Sequence, residues 1–283
     1  MALPEFNLEQ RGGTKIWISS GFADPAFVDA LAEADRFFDN PECQIVKDQK
    51  KVKVGRLTLR IAGKQRSIYI KKYNAFSLRF RLVSPLVQSG ALRSLRGAKV
   101  LHEGTIATAK PVAAVESRFC GMLRNSFFIS EEIAGGKTAD AYWIENLQEY
   151  KNRGACKQQR AFLRQLAALF HSLHARRIYH NDLKDANILV VNNRRDESIE
   201  FFLLDLEGVR QCGRLSERRR IKNLVQLYRT LGRYVPRSQQ AFFLKCYLGP
   251  AFEDGKLKRK VIEAVLSSAR NVDIAKARVI GGN

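Results

Sequence analysis

Residues 178–190 carry side chains whose types and spacing suit the transfer of a phosphoryl group. Asp182 offers a carboxylate, Lys184 a cation two residues later, and Asn187 an amide five residues later. A carboxylate can accept the proton of an attacking hydroxyl, and a lysine can neutralise charge on the transferring phosphate. Amide and carboxylate oxygens suit Mg²⁺. The pattern predicts catalytic roles for Asp182 and Lys184. It predicts metal ligation by Asn187 and by Asp205, which follows an apolar run.

The spacing resembles the protein-kinase catalytic loop, H-x-D-x-x-x-x-N, followed by an aspartate in the D-F-G position. The two segments read YHNDLKDANILV and FFLLDLEGVR, with D-L-E in place of D-F-G. In this form they resemble the bacterial lipopolysaccharide kinase family, whose members phosphorylate heptose or Kdo sugars of the inner core. The resemblance covers roughly residues 44–248. It implies ATP as phosphate donor and Mg²⁺ as cofactor.

An α+β fold of the bilobal, protein-kinase-like kind is expected from this resemblance and from the order of predicted elements. The N-terminal lobe, 1–133, combines a small antiparallel sheet with a helix predicted at 25–38 after an irregular start. The C-terminal catalytic lobe, 134–283, is expected to be mainly helical. A long amphipathic helix at 155–176 leads directly into the catalytic loop.

The strand ending Ile68-Tyr69-Ile70-Lys71 resembles the kinase strand whose lysine holds the α- and β-phosphates of ATP. Lys71 is the candidate, and Lys72 is the alternative because a shift of one residue reverses the side that a strand residue faces. The resemblance also places Glu131 and Ile133 beside adenine, as parts of the nucleotide site.

Three positions depart from the kinase pattern or from the family pattern. No glycine-rich phosphate loop precedes Lys71, and the basic run 47–51 is expected to supply cations in its place. Ser94 stands where kinases carry the glutamate that pairs with the strand lysine, so either Glu103 pairs with Lys71 or the pair is absent. Asn223 replaces a family aspartate that anchors the catalytic loop, and it is expected to accept the same hydrogen bonds.

The charge is strongly positive: 49 basic residues against 28 acidic ones give a formal +21. Such a field favours an anionic partner, although a basic surface also serves solubility alone. The resemblance implies that the anionic partner is the substrate itself, the core and lipid A glycolipid of lipopolysaccharide. No nucleic-acid partner is expected. Five scattered cysteines, no signal pattern and no long apolar run favour a cytoplasmic protein. The resemblance implies that it is peripheral at the cytoplasmic face of the inner membrane. Arginines 218–220 either bind an anionic substrate or form an exposed helix face.

Other functions stay open at this point. An atypical, RIO-like protein kinase would also explain the charge, although no A-P-E motif follows Glu207 to position a peptide. A catalytically inactive binding module on a kinase fold would explain the missing glycine loop. A small-molecule phosphotransferase of the aminoglycoside or choline type is a weaker alternative. The sequence does not determine the sugar, the hydroxyl or the oligomeric state.

Overall fold

A computed structural model describes residues 5–74, 84–148, 153–193 and 198–280 of the chain. The chain divides into two compact units. The first comprises Met1–Ala134 and Asp205–Val209, and the second comprises Gly135–Leu204 and Arg210–Asn283. The short segment Asp205–Val209, which lies within the predicted C-terminal lobe, therefore belongs to the first unit. The α+β class and its antiparallel sheet are confirmed.

A seven-stranded sheet forms the first unit, with every neighbouring pair antiparallel and the order β1-β2-β6-β7-β5-β4-β3. The strands are β1 (Phe6–Arg11), β2 (Thr14–Ser19), β3 (Gln44–Gln49), β4 (Val52–Ile61), β5 (Lys64–Asn74), β6 (Pro111–Phe119) and β7 (Met122–Glu131). The expectation of an irregular start is wrong, because β1 and β2 form a hairpin. Gly12, at a φ of 55°, permits its tight turn.

Within the described residues, two helices pack on this sheet. Helix α1 (Pro25–Ala32) begins at Asp24, whose Oδ1 accepts the N–H of Phe27 at 3.1 Å. It ends earlier than predicted, because Glu33 leaves the helical conformation and a 3₁₀ turn, Ala34–Asp39, follows. Helix α2 (Gly90–Glu103) is capped by Ser89, whose Oγ accepts the N–H of Leu92 at 3.1 Å. It packs against β6, β7 and the 3₁₀ turn Leu206–Gly208.

The second unit is mainly helical. Its helices are α3 (Ala139–Asn146), α4 (Arg153–Ala175), α5 (Glu217–Arg229), α6 (Arg237–Leu248) and α7 (Gly255–Ile280). Its short strands are β8 (Lys137–Thr138), β9 (Ile178–His180), β10 (Ile188–Asn192) and β11 (Ile199–Leu203), and β12 (Val209–Gln211) starts in the first unit. The predicted stripe of α4 is buried, with Phe162 and Phe170 among its residues. Helix α4 packs along α6, and α5 along α7.

No helix within the described residues is both long enough and apolar enough to span a membrane. The five cysteines form no disulfide.

Candidate active site

The catalytic loop joins β9 to β10 in the second unit, and His180 at its start is buried. Its Nδ1 accepts the N–H of Asp182 at 3.2 Å, and its Nε2 lies 2.8 Å from the carbonyl oxygen of Leu204. Since Nδ1 is the acceptor, the proton of the neutral ring lies on Nε2, which donates to Leu204. His180 therefore fixes the loop against the end of β11, which is an architectural role.

The three predicted loop residues meet at one carboxylate. Oδ2 of Asp182 accepts hydrogen bonds from Nζ of Lys184 at 2.7 Å and from Nδ2 of Asn187 at 3.1 Å. The same nitrogen of Asn187 also donates to the carbonyl of Asp182 at 2.8 Å. Because Nδ2 makes both bonds, the amide oxygen of Asn187 is the atom of this side chain that suits a cation. The loop thus combines a held carboxylate, a cation and a hard oxygen ligand.

Helix α5 anchors this loop through Asn223, which is buried. Its Nδ2 lies 2.6 Å from the carbonyl oxygen of His180, and its Oδ1 lies 3.2 Å from Nε2 of His174. The opposite amide orientation would place two oxygens 2.6 Å apart, so Asn223 donates to the loop. The expectation that Asn223 accepts hydrogen bonds from the catalytic loop is wrong for its contact with His180, where it donates. Asn223 acts as donor toward His180 and as acceptor from His174.

Gln226, one turn along α5, was not identified from the sequence. Its Oε1 accepts the N–H of Leu183 at 3.0 Å, and its Nε2 donates to the carbonyl of Asn181 at 2.9 Å. The same nitrogen lies 3.5 Å from Oδ1 of Asp182. The available signal was its spacing, three residues after Asn223, which puts both amides on one face of the helix.

His174, beneath this anchor, is also buried, and its Nδ1 lies 2.7 Å from Oη of Tyr247. Burial lowers the pKa of His174 to about 4, against the opposing effect of its bond to Asn223. The imidazole is therefore neutral near pH 7 and bonds on both sides. These contacts give His174 a structural role.

In the first unit, Lys71 of β5 forms an ion pair with Asp205, with 2.5 Å between Nζ and Oδ1. Burial lowers the pKa of Lys71, but the charge and the hydrogen bond of Asp205 raise it, and the net shift is upward, so the ammonium stays charged. Asp205 has left-handed backbone angles, φ 56° and ψ 58°, which aspartate tolerates better than most residues. Lys72, the alternative candidate, instead pairs with Asp35.

The glutamate partner sought for Lys71 is replaced by Asp205. At the position expected for that glutamate, Ser94 lies with its Oγ 2.6 Å from Oη of Tyr73 in a buried contact. Burial raises the pKa of Tyr73 to about 12, so the phenol is neutral. Glu103 pairs instead with Lys99 at 3.8 Å on the exposed face of α2. Glu103 is therefore not the partner of Lys71, and no glutamate pairs with this lysine within the described residues.

Helix α2 holds the D-L-E segment through two contacts that the sequence did not reveal. Arg93 of the helix forms an ion pair with Glu207 of the D-L-E segment. The helix therefore supplies the cation of this pair, whereas in kinases the corresponding helix supplies a glutamate. A Cβ on Gly97 would lie well under 3.0 Å from the carbonyl oxygen of Leu206. The helix backbone therefore approaches Leu206 so closely that only glycine fits. No local pattern links residues more than a hundred positions apart.

The end of β7 carries two acidic side chains that are already paired. Glu131 contacts Arg66 at 2.5 Å and Lys110 at 3.7 Å, and its amide donates to the carbonyl of Lys110. Glu132 forms two 2.8 Å bonds with Arg56, which lower the pKa of its carboxyl. Ile133 follows and is partly buried. The side chains of both glutamates are thus engaged, so only the backbone of Glu131 would be left for the predicted adenine contact.

The hairpin of β3 and β4 stands where kinases have their glycine loop, and its turn carries Lys50 and Lys51. Gly55, the only glycine there, serves packing. A Cβ at this position would meet Sγ of Cys43 at 2.7 Å and the ring of Phe38. The hairpin thus presents cationic side chains rather than glycine amides.

The sequence model of the lipopolysaccharide kinase (Kdo/WaaP) family matches residues 41–247. The chain belongs to this family. The lipopolysaccharide kinase is accordingly a phosphotransferase that acts on a sugar hydroxyl, and the resemblance seen in its loop motifs is confirmed. The family does not favour a RIO-like protein kinase or an inactive binding module. None of the curated proteins matches the sequence of this kinase.

A solved structure, described as WaaP in complex with acyl carrier protein, contains a similar chain. The sequence identity is 18% and the TM-score 0.64, over 88% of the lipopolysaccharide kinase and 97% of the other chain. At this identity the similarity carries the fold alone. It confirms the protein-kinase-like fold expected from the sequence.

Proposed function

We propose that this lipopolysaccharide kinase transfers the γ-phosphate of ATP to a hydroxyl of a heptose or Kdo residue in the inner core. The observation that carries the proposal is the carboxylate of Asp182, held by Lys184 and Asn187. Asp182 accepts the proton of the sugar hydroxyl as that oxygen attacks phosphorus. Lys184 neutralises charge on the γ-phosphate. Its hydrogen bond to Asp182 orders both side chains before the acceptor binds.

Asn187 and Asp205 have the oxygen donors that Mg²⁺ prefers, so the residues present fit this ion. The N–H of Leu204 donates to the carbonyl of Asn187 at 2.9 Å, and Asp205 is the next residue in the chain. This covalent link supports a shared ligand role. When bound, Mg²⁺ supplies charge neutralisation for the phosphates. With Mg²⁺ bound, Asp205 would hold the metal and Lys71 would hold the α- and β-phosphates of ATP.

Adenine is proposed to bind at the end of β7 through backbone groups of Glu131 and Ile133. The amides of Glu131 and Glu132 already donate to Lys110 and Ser67, so carbonyl groups and the backbone of Ile133 are the groups that remain. Lys50 and Lys51, at the turn of the β3–β4 hairpin, supply cations over the phosphates. Their flexible side chains replace the fixed amides of a glycine loop.

The acceptor is proposed to be the core and lipid A glycolipid, met at the cytoplasmic face of the inner membrane. The formal charge of +21 supports this location, because basic residues are attracted to anionic lipid headgroups. The association is peripheral, through charge and through the substrate itself. Raising the salt concentration should therefore release the kinase from anionic vesicles.

The test is transfer of radiolabel from [γ-³²P]ATP by the purified protein. Lipopolysaccharide with its core phosphates removed and casein serve as parallel acceptors, each with and without Mg²⁺. We expect Mg²⁺-dependent labelling of the glycolipid alone, with mass spectrometry locating the phosphate on a heptose or Kdo residue. Labelling of casein alone, or ATP turnover without a labelled sugar, would overturn the proposal.

A further inference from the structure

A cationic pocket adjoins the catalytic loop in the second unit. It is lined by Tyr179, Ser216, Arg218, Arg219 and Lys222 and has a volume of about 580 Å³. Ligand pockets commonly measure about 300–1,000 Å³, so there is room for a sugar-sized group. The cations come from the first two turns of α5, the helix that anchors the loop through Asn223 and Gln226.

Two of these cations lie over one aromatic ring. The guanidinium carbon of Arg219 lies 5.2 Å and the ammonium of Lys222 lies 5.8 Å from the ring centroid of Tyr179. Within the described residues, Arg218, Arg219 and Lys222 form no ion pair with a carboxylate. Glu217, the acid beside them on α5, pairs with Lys260. Like charges gathered without an internal counter-ion favour an external anion.

The pocket is joined to the catalytic carboxylate through Asn181. Oδ1 of Asn181 accepts hydrogen bonds from Nζ of Lys222 at 3.0 Å and from Oη of Tyr179 at 3.3 Å. Asn181 immediately precedes Asp182 in the loop. Lys222 is also one helical turn, about 5.4 Å along the axis, from Gln226, which reaches Asp182.

We infer that this pocket binds an anionic group of the acceptor, close to the hydroxyl that Asp182 deprotonates. Arg219, held over Tyr179, and Lys222, held by Asn181, are the binding residues, and Arg218 adds charge. The anion is a phosphate or a carboxylate on the acidic oligosaccharide. The inference rests on the proposed function, and it assigns substrate recognition to the cations on α5. A neutral sugar would bind without this contact.

The test measures binding without nucleotide, so that it does not depend on catalysis. Deacylated core oligosaccharide is titrated by calorimetry into R219Q/K222Q and into K256Q/R259Q, a control that removes two exposed cations from α7. The oligosaccharide is used intact, dephosphorylated, carboxyl-reduced, and after both treatments. Thermal unfolding checks that both variants fold. Titration of the wild-type protein with each of the four ligands shows the effect of each chemical treatment without any substitution.

We expect R219Q/K222Q to bind the intact oligosaccharide at least about tenfold more weakly than the control, as for a charge-assisted contact. This difference in affinity between the two variants should vanish for the doubly treated oligosaccharide. If dephosphorylation alone abolishes it, the anion is a phosphate; if carboxyl reduction alone abolishes it, the anion is a carboxylate. Equal weakening in both variants, or a difference that persists for the doubly treated ligand, would overturn the inference. Failure of phosphate transfer with this binding pattern intact would instead overturn the proposed function.

Discussion

Lys71 and Asp205 are joined by an ion pair in which Nζ and Oδ1 lie 2.5 Å apart. The pair holds Asp205 against β5 within the first unit. Lys71, the proposed phosphate ligand, is thereby held by the proposed metal ligand rather than by a glutamate of α2. Both side chains thus have a partner that a nucleotide and its metal ion can replace.

The first prediction concerns Lys71→Met. Loss of the ammonium removes the proposed contact with the inner phosphates and leaves Asp205 without this cation. We expect kcat/KM to fall about 10²–10³-fold, with weaker ATP binding. Lys72→Met is the matched control, because Lys72 pairs with Asp35. Steady-state kinetics and ATP titration measure both variants, and equal losses would contradict the assignment of Lys71.

Gly97→Ala tests the close approach of α2 to the D-L-E segment. Alanine in a helix interior normally stabilises by about 0.5–1 kcal/mol relative to glycine. Here the added methyl would meet the Leu206 carbonyl, so we expect a loss of about 1–3 kcal/mol and reduced phosphate transfer. Gly21→Ala, where a Cβ meets nothing within 4 Å, is the control. Chemical denaturation decides, and a stabilised G97A protein would show that this contact does not constrain the segment.

Asn223→Asp tests the amide as hydrogen-bond donor. The carboxylate would face the carbonyl of His180 without a proton to donate, so we expect a loss of about 1–3 kcal/mol of stability. Phosphate transfer should fall too, because the catalytic loop loses its buried anchor. Asn223→Ala removes the donor without adding a carboxylate. Comparing the stability of the two variants therefore separates the loss of the hydrogen bond from the repulsion between the carboxylate and the carbonyl of His180. Wild-type stability and activity in N223D would contradict the assigned amide orientation.

His174 should make stability depend on pH. Its pKa is about 4 in the folded protein against 6.5 for an ordinary histidine, because burial disfavours the cation. The unfolded chain therefore takes up the proton first, and stability is lost as the pH falls from about 6.5 toward 4. Between about pH 7 and pH 5 this amounts to about 2 kcal/mol. Urea unfolding of wild-type and H174Q proteins measures it, and identical pH slopes would argue against it.

The catalytic loop and the long helix before it could be predicted from sequence because their signals are local. The spacing of Asp182, Lys184 and Asn187 is read along a single loop, and the structure brings the three together. The apolar stripe of α4 likewise follows from a period of 3.6 residues. The β1–β2 hairpin also carried a local signal, the Gly12-Gly13 turn between two short runs, but its strands are short and partly polar.

The remaining contacts depend on tertiary approach. Arg93 meets Glu207 across 114 positions of the chain, and nothing near either residue marks the other as its partner. Whether Glu103 pairs with Lys71 was likewise open, and the pairing of Lys71 with Asp205 was not foreseen, because 134 positions of the chain separate the two residues. The early end of α1 depends on Glu33 leaving the helical conformation, which periodicity does not show.

The central claim is that Asp182 activates the acceptor hydroxyl, and Asp182→Asn tests it most directly. The amide keeps the size of the side chain but cannot accept the proton. We expect transfer of radiolabel from [γ-³²P]ATP to lipopolysaccharide to fall about 10²–10⁴-fold, with ATP affinity and unfolding midpoint unchanged. Transfer at the wild-type rate by the D182N protein would contradict the account.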